Sequence, residues 1–381
     1  MGERVVKHLS IRPLAERLRE RSGQESAISF RDWMDAALYD KHEGYYCQRG
    51  LERQGRAGDY RTSPERSTLF AATFARYFVT LFRELGEPRT FTIYEAGAGE
   101  GRFARGVLST LRLDYPEVFT NIRYVIDERS ADAREKAREH LAIFGDRVEF
   151  RRLSDVPALS VEGIVFSNEL LDAFPVHLAV MRCGKLYELC VGLSETGKFQ
   201  WVEREPTTPR LAAHFKDLNV TLVEGQTAEV NLAASEWIMH AASIVRRGFV
   251  ITVDYGAESA ELYSAPHRHH GTLRAFRRHH FAEDVLDAPG TQDLTTTINW
   301  SQIMRDGERA GLRTVTLARQ DEFLLRAGLL EQLERMTADA PNEAERAVLR
   351  LDAREMILPG GMSESFQVHV QKKISPDESQ P

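Results

Sequence analysis

The run Ile93-Tyr94-Glu95-Ala96-Gly97-Ala98-Gly99-Glu100-Gly101 constrains this chain more than any other stretch. An apolar segment ends in an acid, and glycines then recur at every second position. Such a run is a strand entering a tight loop without β-carbons before a helix, the entry to a nucleotide-type α/β sheet. A dinucleotide site prefers Gly-x-Gly-x-x-Gly, because a pyrophosphate rests on the N-terminus of the following helix. That spacing fails here: Arg102 follows Gly101, and Glu100 would set a negative charge beside a phosphate. S-adenosylmethionine has no phosphate and carries an ammonium and a sulfonium, so a strand-end acid and a bare backbone suit it. The alternative is a strand-to-helix turn that holds no ligand.

The flanking patterns fit a sheet of that kind. Residues 1–90 read as a helical region with a lid: helical spacing over 28–38, a polar Gly- and Arg-rich loop over 47–63, and then one apolar helix face of Leu69, Phe70, Phe74, Tyr77, Phe78 and Leu81. Residues 91–176 alternate strands (91–94, 122–127, 147–152, 163–166) with helices (103–111, 130–141), the first part of a Rossmann-like core. Residues 177–228 break the alternation with a hairpin turning at Cys183-Gly184-Lys185, an inserted antiparallel substrate subdomain. The core resumes over 229–374. It has a helix at 232–245 with Gly248 as its left-handed cap, and a helix from Trp300 capped by Asn299 with Gln302 placed for a capping box. Strands at 312–317 and 366–370 close it as an antiparallel pair, and 375–381 form a disordered tail. The fold class is α/β: a class I methyltransferase-like sheet with a helical N-terminal region and an inserted antiparallel subdomain.

Composition removes several partners. The net charge is -7 with no dense Lys/Arg block, whereas a sequence-independent grip on nucleic acid needs clustered cations. Three cysteines without a Cys-x-x-Cys pair support neither a disulfide framework nor a thiolate zinc site, and point to a reducing cytoplasm. Residues 1–20 hold no long apolar core, so neither a signal peptide nor a membrane span is expected. Glu3, Glu16 and Glu20 argue against a transit peptide. Five histidines lie between His267 and His280, irregularly spaced among arginines. They read as a polar, partly exposed loop, and no metal is expected.

Acids at the other strand ends are the next candidates. Asp127 and Glu128 end the second strand, where a carboxylate would hold ribose hydroxyls; either alone is equally a solvated helix cap. The fourth strand ends in Phe166-Ser167-Asn168-Glu169-Leu170-Leu171-Asp172-Ala173-Phe174-Pro175. Asn168 and Glu169 face the substrate crevice there, with Asp172 one helical turn on, although Asn168 is also a common helix cap. The fifth strand ends in Asp254-Tyr255-Gly256.

With these residues the chain resembles the MidA-like methyltransferases, a family that includes the mitochondrial arginine methyltransferase of complex I assembly. The resemblance is carried by Gly44-Tyr45-Tyr46, Gly58-Asp59-Tyr60-Arg61-Thr62-Ser63-Pro64-Glu65, Glu95 to Gly101, Asn168 to Pro175, Asp254-Tyr255-Gly256, Gly271 to His279, and Pro289-Gly290-Thr291-Gln292-Asp293-Leu294-Thr295. The loop before Gly58 departs from the family in lacking Phe-Gly, and the basic and histidine run at Arg277 to His280 is doubled. Laid over the family's acid-x-Ser, Glu128-Arg129-Ser130 singles out Glu128. The resemblance implies S-adenosylmethionine as cofactor, held by Thr62, Ser63, Pro64, Glu65, Glu95, Gly97, Gly99, Gly101, Glu128, Asn168 and Glu169. It implies an arginine-bearing protein acceptor, akin to a complex I subunit. A guanidinium is always protonated and a poor nucleophile, so carboxylates must orient it and take its proton. Glu169 and Asp172 take that part, with Asp254 and Tyr255 behind them. A small-molecule O-, N- or C-methyltransferase and a non-catalytic assembly factor are the competing readings, and a nucleotide-dependent oxidoreductase ranks last. A homodimer is compatible with all of them, and no membrane or nucleic-acid partner is expected.

Overall fold

The protein is described by a computed structural model covering residues 12–48, 67–277, 280–358 and 365–374. It begins with the helices Leu14–Gln24 and Phe30–Tyr39, separated by a two-residue strand, β1 (Ile28–Ser29). The predicted helix over 28–38 thus starts later, because Ile28 and Ser29 pair with a strand far along the chain and Ser29 Oγ caps the helix at Asp32 N–H. The helix Thr68–Glu84 follows, N-capped by Ser67 Oγ on Phe70 N–H, and buries the predicted phenylalanine face.

Strands and helices then alternate through β2 (Phe91–Ala96), β3 (Ile122–Asp127), β4 (Val148–Phe150) and β5 (Val161–Asn168), all parallel. Next come β6 (His177–Arg182), β7 (Lys185–Leu193), β8 (Phe199–Arg204) and β9 (Thr227–Val230), which form a separate antiparallel sheet with β1 at its edge. The chain returns with β10 (Val245–Ala257) and makes a small antiparallel sheet of β11 (Arg274–Arg277), β12 (His280–Phe281) and β13 (Asp293–Thr295). It adds β14 (Ile298–Asn299) beside β10 and closes with β15 (Leu312–Arg319) and β16 (Phe366–Lys373).

The central order is β15-β16-β10-β5-β2-β3-β4, and along it only β16 runs antiparallel to its neighbours. This is the Rossmann-like α/β arrangement that the alternation predicts. β2 is buried at all six positions, as a strand covered on both faces must be. Phe91 and Ile93 face a core under the helices Thr68–Glu84 and Arg102–Asp114, while Tyr94 and Ala96 face the core under Leu232–Ile244 and Trp300–Arg309. No described helix is long and apolar enough to cross a membrane.

Several local expectations are corrected by long-range contacts. Gly248 does not cap a helix: the helix ends at Ile244, and Gly248 lies inside β10 opposite Gly163 of β5. Both glycines have φ near 143–144°, and a Cβ on either would run into neighbouring backbone, so the glycines serve close strand approach. Asn299 does cap its helix, but Gln302 Nε2 donates to Asn231 O and Ser235 Oγ, pinning two helices together instead of closing a capping box. The histidine-rich run is no simple loop, since β11 and β12 are built from it. No helix follows Asn168; residues 169–174 form a turn, which removes helix capping as that asparagine's role.

Candidate active site

β2 delivers Glu95 and the glycine loop to the C-terminal edge of the sheet. Glu95 is buried, and its Oε2 accepts a hydrogen bond from Tyr124 Oη of β3 at 2.7 Å. Gly97, Gly99 and Gly101 have φ of 70°, 54° and 73°, the left-handed region that glycine enters freely. A Cβ on Gly97 would stand 2.9 Å from Leu170 Cδ1, so the segment after β5 closes over this loop. The loop therefore offers bare backbone at a point where side chains could not fit.

The two acids at the C-terminal end of β3 have separate employment. Asp127 Oδ2 accepts from Tyr94 Oη at 2.8 Å and Leu153 N–H at 3.0 Å, and Oδ1 pairs with Arg152 at 2.9 Å. Glu128 faces the glycine loop: Gly99 N–H donates to its Oε2 at 2.8 Å and Ser130 N–H to its Oε1 at 2.7 Å. Burial pushes the Glu128 carboxyl up, against the pull of these amides. The Arg129 guanidinium lies 4.4 Å over the Tyr39 ring, tying the helix Phe30–Tyr39 to this corner.

At the end of β5, Glu169 has φ of 48°, uncommon for a residue with a side chain, and its N–H donates to Val253 O at 2.9 Å. Asn168 Nδ2 donates to Glu169 Oε1 at 3.1 Å, while Asn168 Oδ1 is buried without a partner. Asp172 is 5% exposed; Tyr255 Oη donates to its Oδ2 at 2.6 Å, and its Oδ1 has no partner. Burial pushes Asp172 up to about 6. Asp254 is fully buried: its Oδ2 accepts Leu171 N–H at 3.0 Å and Asp172 N–H at 3.3 Å, and its Oδ1 accepts Tyr255 N–H at 2.9 Å. Burial, then the charges of Asp172 and Glu169, push Asp254 up as well. With both oxygens on backbone amides, Asp254 is a bracket for the Asp172 turn.

Residues without a role in the sequence reading complete this end. Arg274 sits 4.6 Å over the Tyr255 ring, Thr296 N–H donates to Asp172 O at 2.9 Å, and Tyr39 Oη donates to Ala173 O at 3.0 Å. Tyr46 Oη donates to Asp293 Oδ1 at 2.7 Å. Tyr46, Arg274 and Asp293 all belong to the short motifs quoted above, and that membership is the signal that could have found them. Thr62, Ser63, Pro64 and Glu65 lie outside the described residues, as do Arg278 and His279. Among the described residues, no group of three His, Cys, Asp or Glu side chains is arranged to hold a metal ion.

Residues 73–318, well over half of the chain, match the family model described as "Putative S-adenosyl-L-methionine-dependent methyltransferase". The chain belongs to this methyltransferase family, and S-adenosylmethionine is its cofactor. The Drosophila melanogaster protein arginine methyltransferase NDUFAF7 homolog, mitochondrial, is 26% identical over 93% of this chain and 83% of its own length. The human protein arginine methyltransferase NDUFAF7, mitochondrial, is 25% identical over 93% of this chain and 82% of its own. A COG1565 superfamily member from Burkholderia thailandensis, crystallised with S-adenosyl-homocysteine, superposes with a TM-score of 0.83 at 29% identity. The match covers 94% of this chain and 92% of that one. The curated relatives are named mitochondrial, which overturns the expectation of a cytoplasmic protein. Cysteine usage bears on redox compartment and not on a particular address.

Proposed function

We propose that this methyltransferase modifies a guanidinium nitrogen of an arginine in a protein. The observation that carries the reading is Asp172: a buried carboxylate with one oxygen held by Tyr255 and the other uncommitted. The names of the relatives as protein arginine methyltransferases support the same acceptor.

The residues fit the cofactor. Glu95, Gly97, Gly99 and Gly101 make a cradle that a side chain on Gly97 would obstruct, and Glu128 turns a carboxylate toward it for ribose hydroxyls. Asn168 and Glu169 border that cradle through Leu170, and Thr62, Ser63, Pro64 and Glu65 join by the family motif. S-adenosylmethionine supplies an electrophilic methyl carbon on a sulfonium.

The protein's task is then positioning and proton removal. A guanidinium remains protonated at any physiological pH, so its lone pair becomes available only as a proton departs. Asp172, with a pKa pushed up to about 6, is largely ionised at neutral pH and still basic enough to take that proton. Tyr255 Oη fixes Oδ2 and so presents Oδ1 to the acceptor. Glu169, on its left-handed backbone, adds a second carboxylate that orients the cation. Asp254 holds the amides of Leu171 and Asp172, which sets the turn between the two acids. The helix Phe30–Tyr39 borders the acceptor in this reading, through the hydrogen bond of Tyr39 to Ala173.

The test is calorimetric titration with S-adenosylmethionine, then mass spectrometry of arginine peptides and of a metabolite extract after incubation with labelled cofactor. Label on arginine nitrogen is expected. Label confined to a small metabolite replaces the arginine acceptor with a small-molecule one.

A further inference from the structure

One half-buried cation flanks Tyr255 at this site. Arg274 of β11 packs its guanidinium 4.6 Å from the centre of the Tyr255 ring, and its Nε and Nη2 are buried without an acceptor. Those two atoms form the guanidinium edge that matches a carboxylate. The hydroxyl of the same tyrosine holds Asp172 Oδ2 at 2.6 Å, and Asp172 Oδ1 is likewise buried and unpartnered. A lone buried charge is costly, and a neighbour of opposite sign offsets that cost. Backbone pairing holds the two together: Arg274 lies opposite Thr295 in the small sheet, and Thr296 N–H donates to Asp172 O at 2.9 Å.

We propose that Arg274 is a positioning residue for methyl transfer that acts through Asp172: its charge keeps the carboxylate anionic, and its stacking keeps the Tyr255 hydroxyl on Oδ2. This rests on the reading of Asp172 as the proton acceptor. The groups around Asp172 are Glu169 on its own segment, Asp254 and Tyr255 on β10, and Tyr39 on the helix Phe30–Tyr39; Arg129, Asp293 and Glu128 lie beyond it, around Tyr39. Arg129 is held over the Tyr39 ring, and Arg274 is the cation whose charge acts on Asp172, working with the Tyr255 hydroxyl against burial.

The experiment is carbon-13 NMR of the full chain, labelled at aspartate side-chain carboxyl carbons and saturated with S-adenosyl-homocysteine. The Asp172 resonance is assigned by its disappearance in Asp172→Asn. Its titration midpoint is expected near 6 in the wild type. Arg274→Met should raise it by about one pH unit or more, a tenfold change in proton affinity. Arg274→Lys, which keeps the charge and loses the fork, should stay near the wild-type midpoint. Calorimetric affinity for S-adenosyl-homocysteine should not change in either variant, and Arg274→Gln serves in place of methionine if that variant does not fold. A midpoint unmoved by loss of the charge, or moved equally by lysine, overturns the proposal. If the midpoint moves as expected but no arginine is ever labelled, Arg274 still governs Asp172 and only the arginine acceptor falls.

Discussion

The two ends of the crevice are built by different rules. At the end proposed for the cofactor, Glu95 meets Tyr124 and Gly99 meets Glu128, each pair 29 positions apart, through adjacent parallel strands and their turns. At the acceptor end, Tyr255 reaches Asp172 across 83 positions, Tyr39 reaches Ala173 across 134, and Tyr46 reaches Asp293 across 247. The first end follows from one βαβ unit; the second exists only when four distant segments have converged. A substitution at the first should therefore act on cofactor binding, and one at the second on the rate of transfer.

The largest effect should come from the acceptor end. Asp172→Asn and Glu169→Gln keep shape and lose charge, so single-turnover transfer should fall by about 10²–10⁴-fold. Cofactor affinity of Asp172→Asn by calorimetry should stay near wild type. An equal loss of affinity would break the division between the two ends.

Next in size is Gly99→Val. Its φ of 54° strains a β-branched residue by about 1–3 kcal/mol, and the side chain would occupy the cradle besides. Calorimetry should detect no cofactor binding while circular dichroism shows a folded chain; wild-type affinity would remove this loop from the site.

The neighbours after β3 sharpen the comparison further. Glu128→Ala should weaken cofactor binding by roughly 1–3 kcal/mol. Asp127→Ala, which strips partners from Tyr94, Leu153 and Arg152, should lower the denaturation midpoint and leave affinity nearly intact. The reverse pattern would hand the ribose to Asp127.

The smallest effect is in pH. Burial raises Asp172 above the ordinary carboxylate value, to about 6, and in the proposed mechanism its anion is the active form. Transfer should be level above that pH and fall about tenfold per pH unit below it. A rate profile flat down to pH 5, with cofactor still bound, would show that another group takes the proton.

The sequence by itself determined the sheet and the cofactor end. Strand and helix periodicity, the acid and glycines of Glu95 to Gly101, and the cap Asn299 are all properties of near neighbours in the chain. It also named Glu169, Asp172, Asp254 and Tyr255, because acids at strand ends face the crevice of any such sheet. Only the tertiary structure decided which partners each of them meets. Asp127 and Asp254 spend their oxygens on backbone and side chains brought in from other segments, while Glu128 turns to the loop and Asp172 keeps one oxygen uncommitted. Gly248 and the strand β11 within the histidine-rich run differ from expectation for the same cause: the partner strand that gives each its meaning is absent from the local pattern. Periodicity is written in a few consecutive side chains, but the fate of a carboxylate depends on which donors surround it, and those arrive from across the fold.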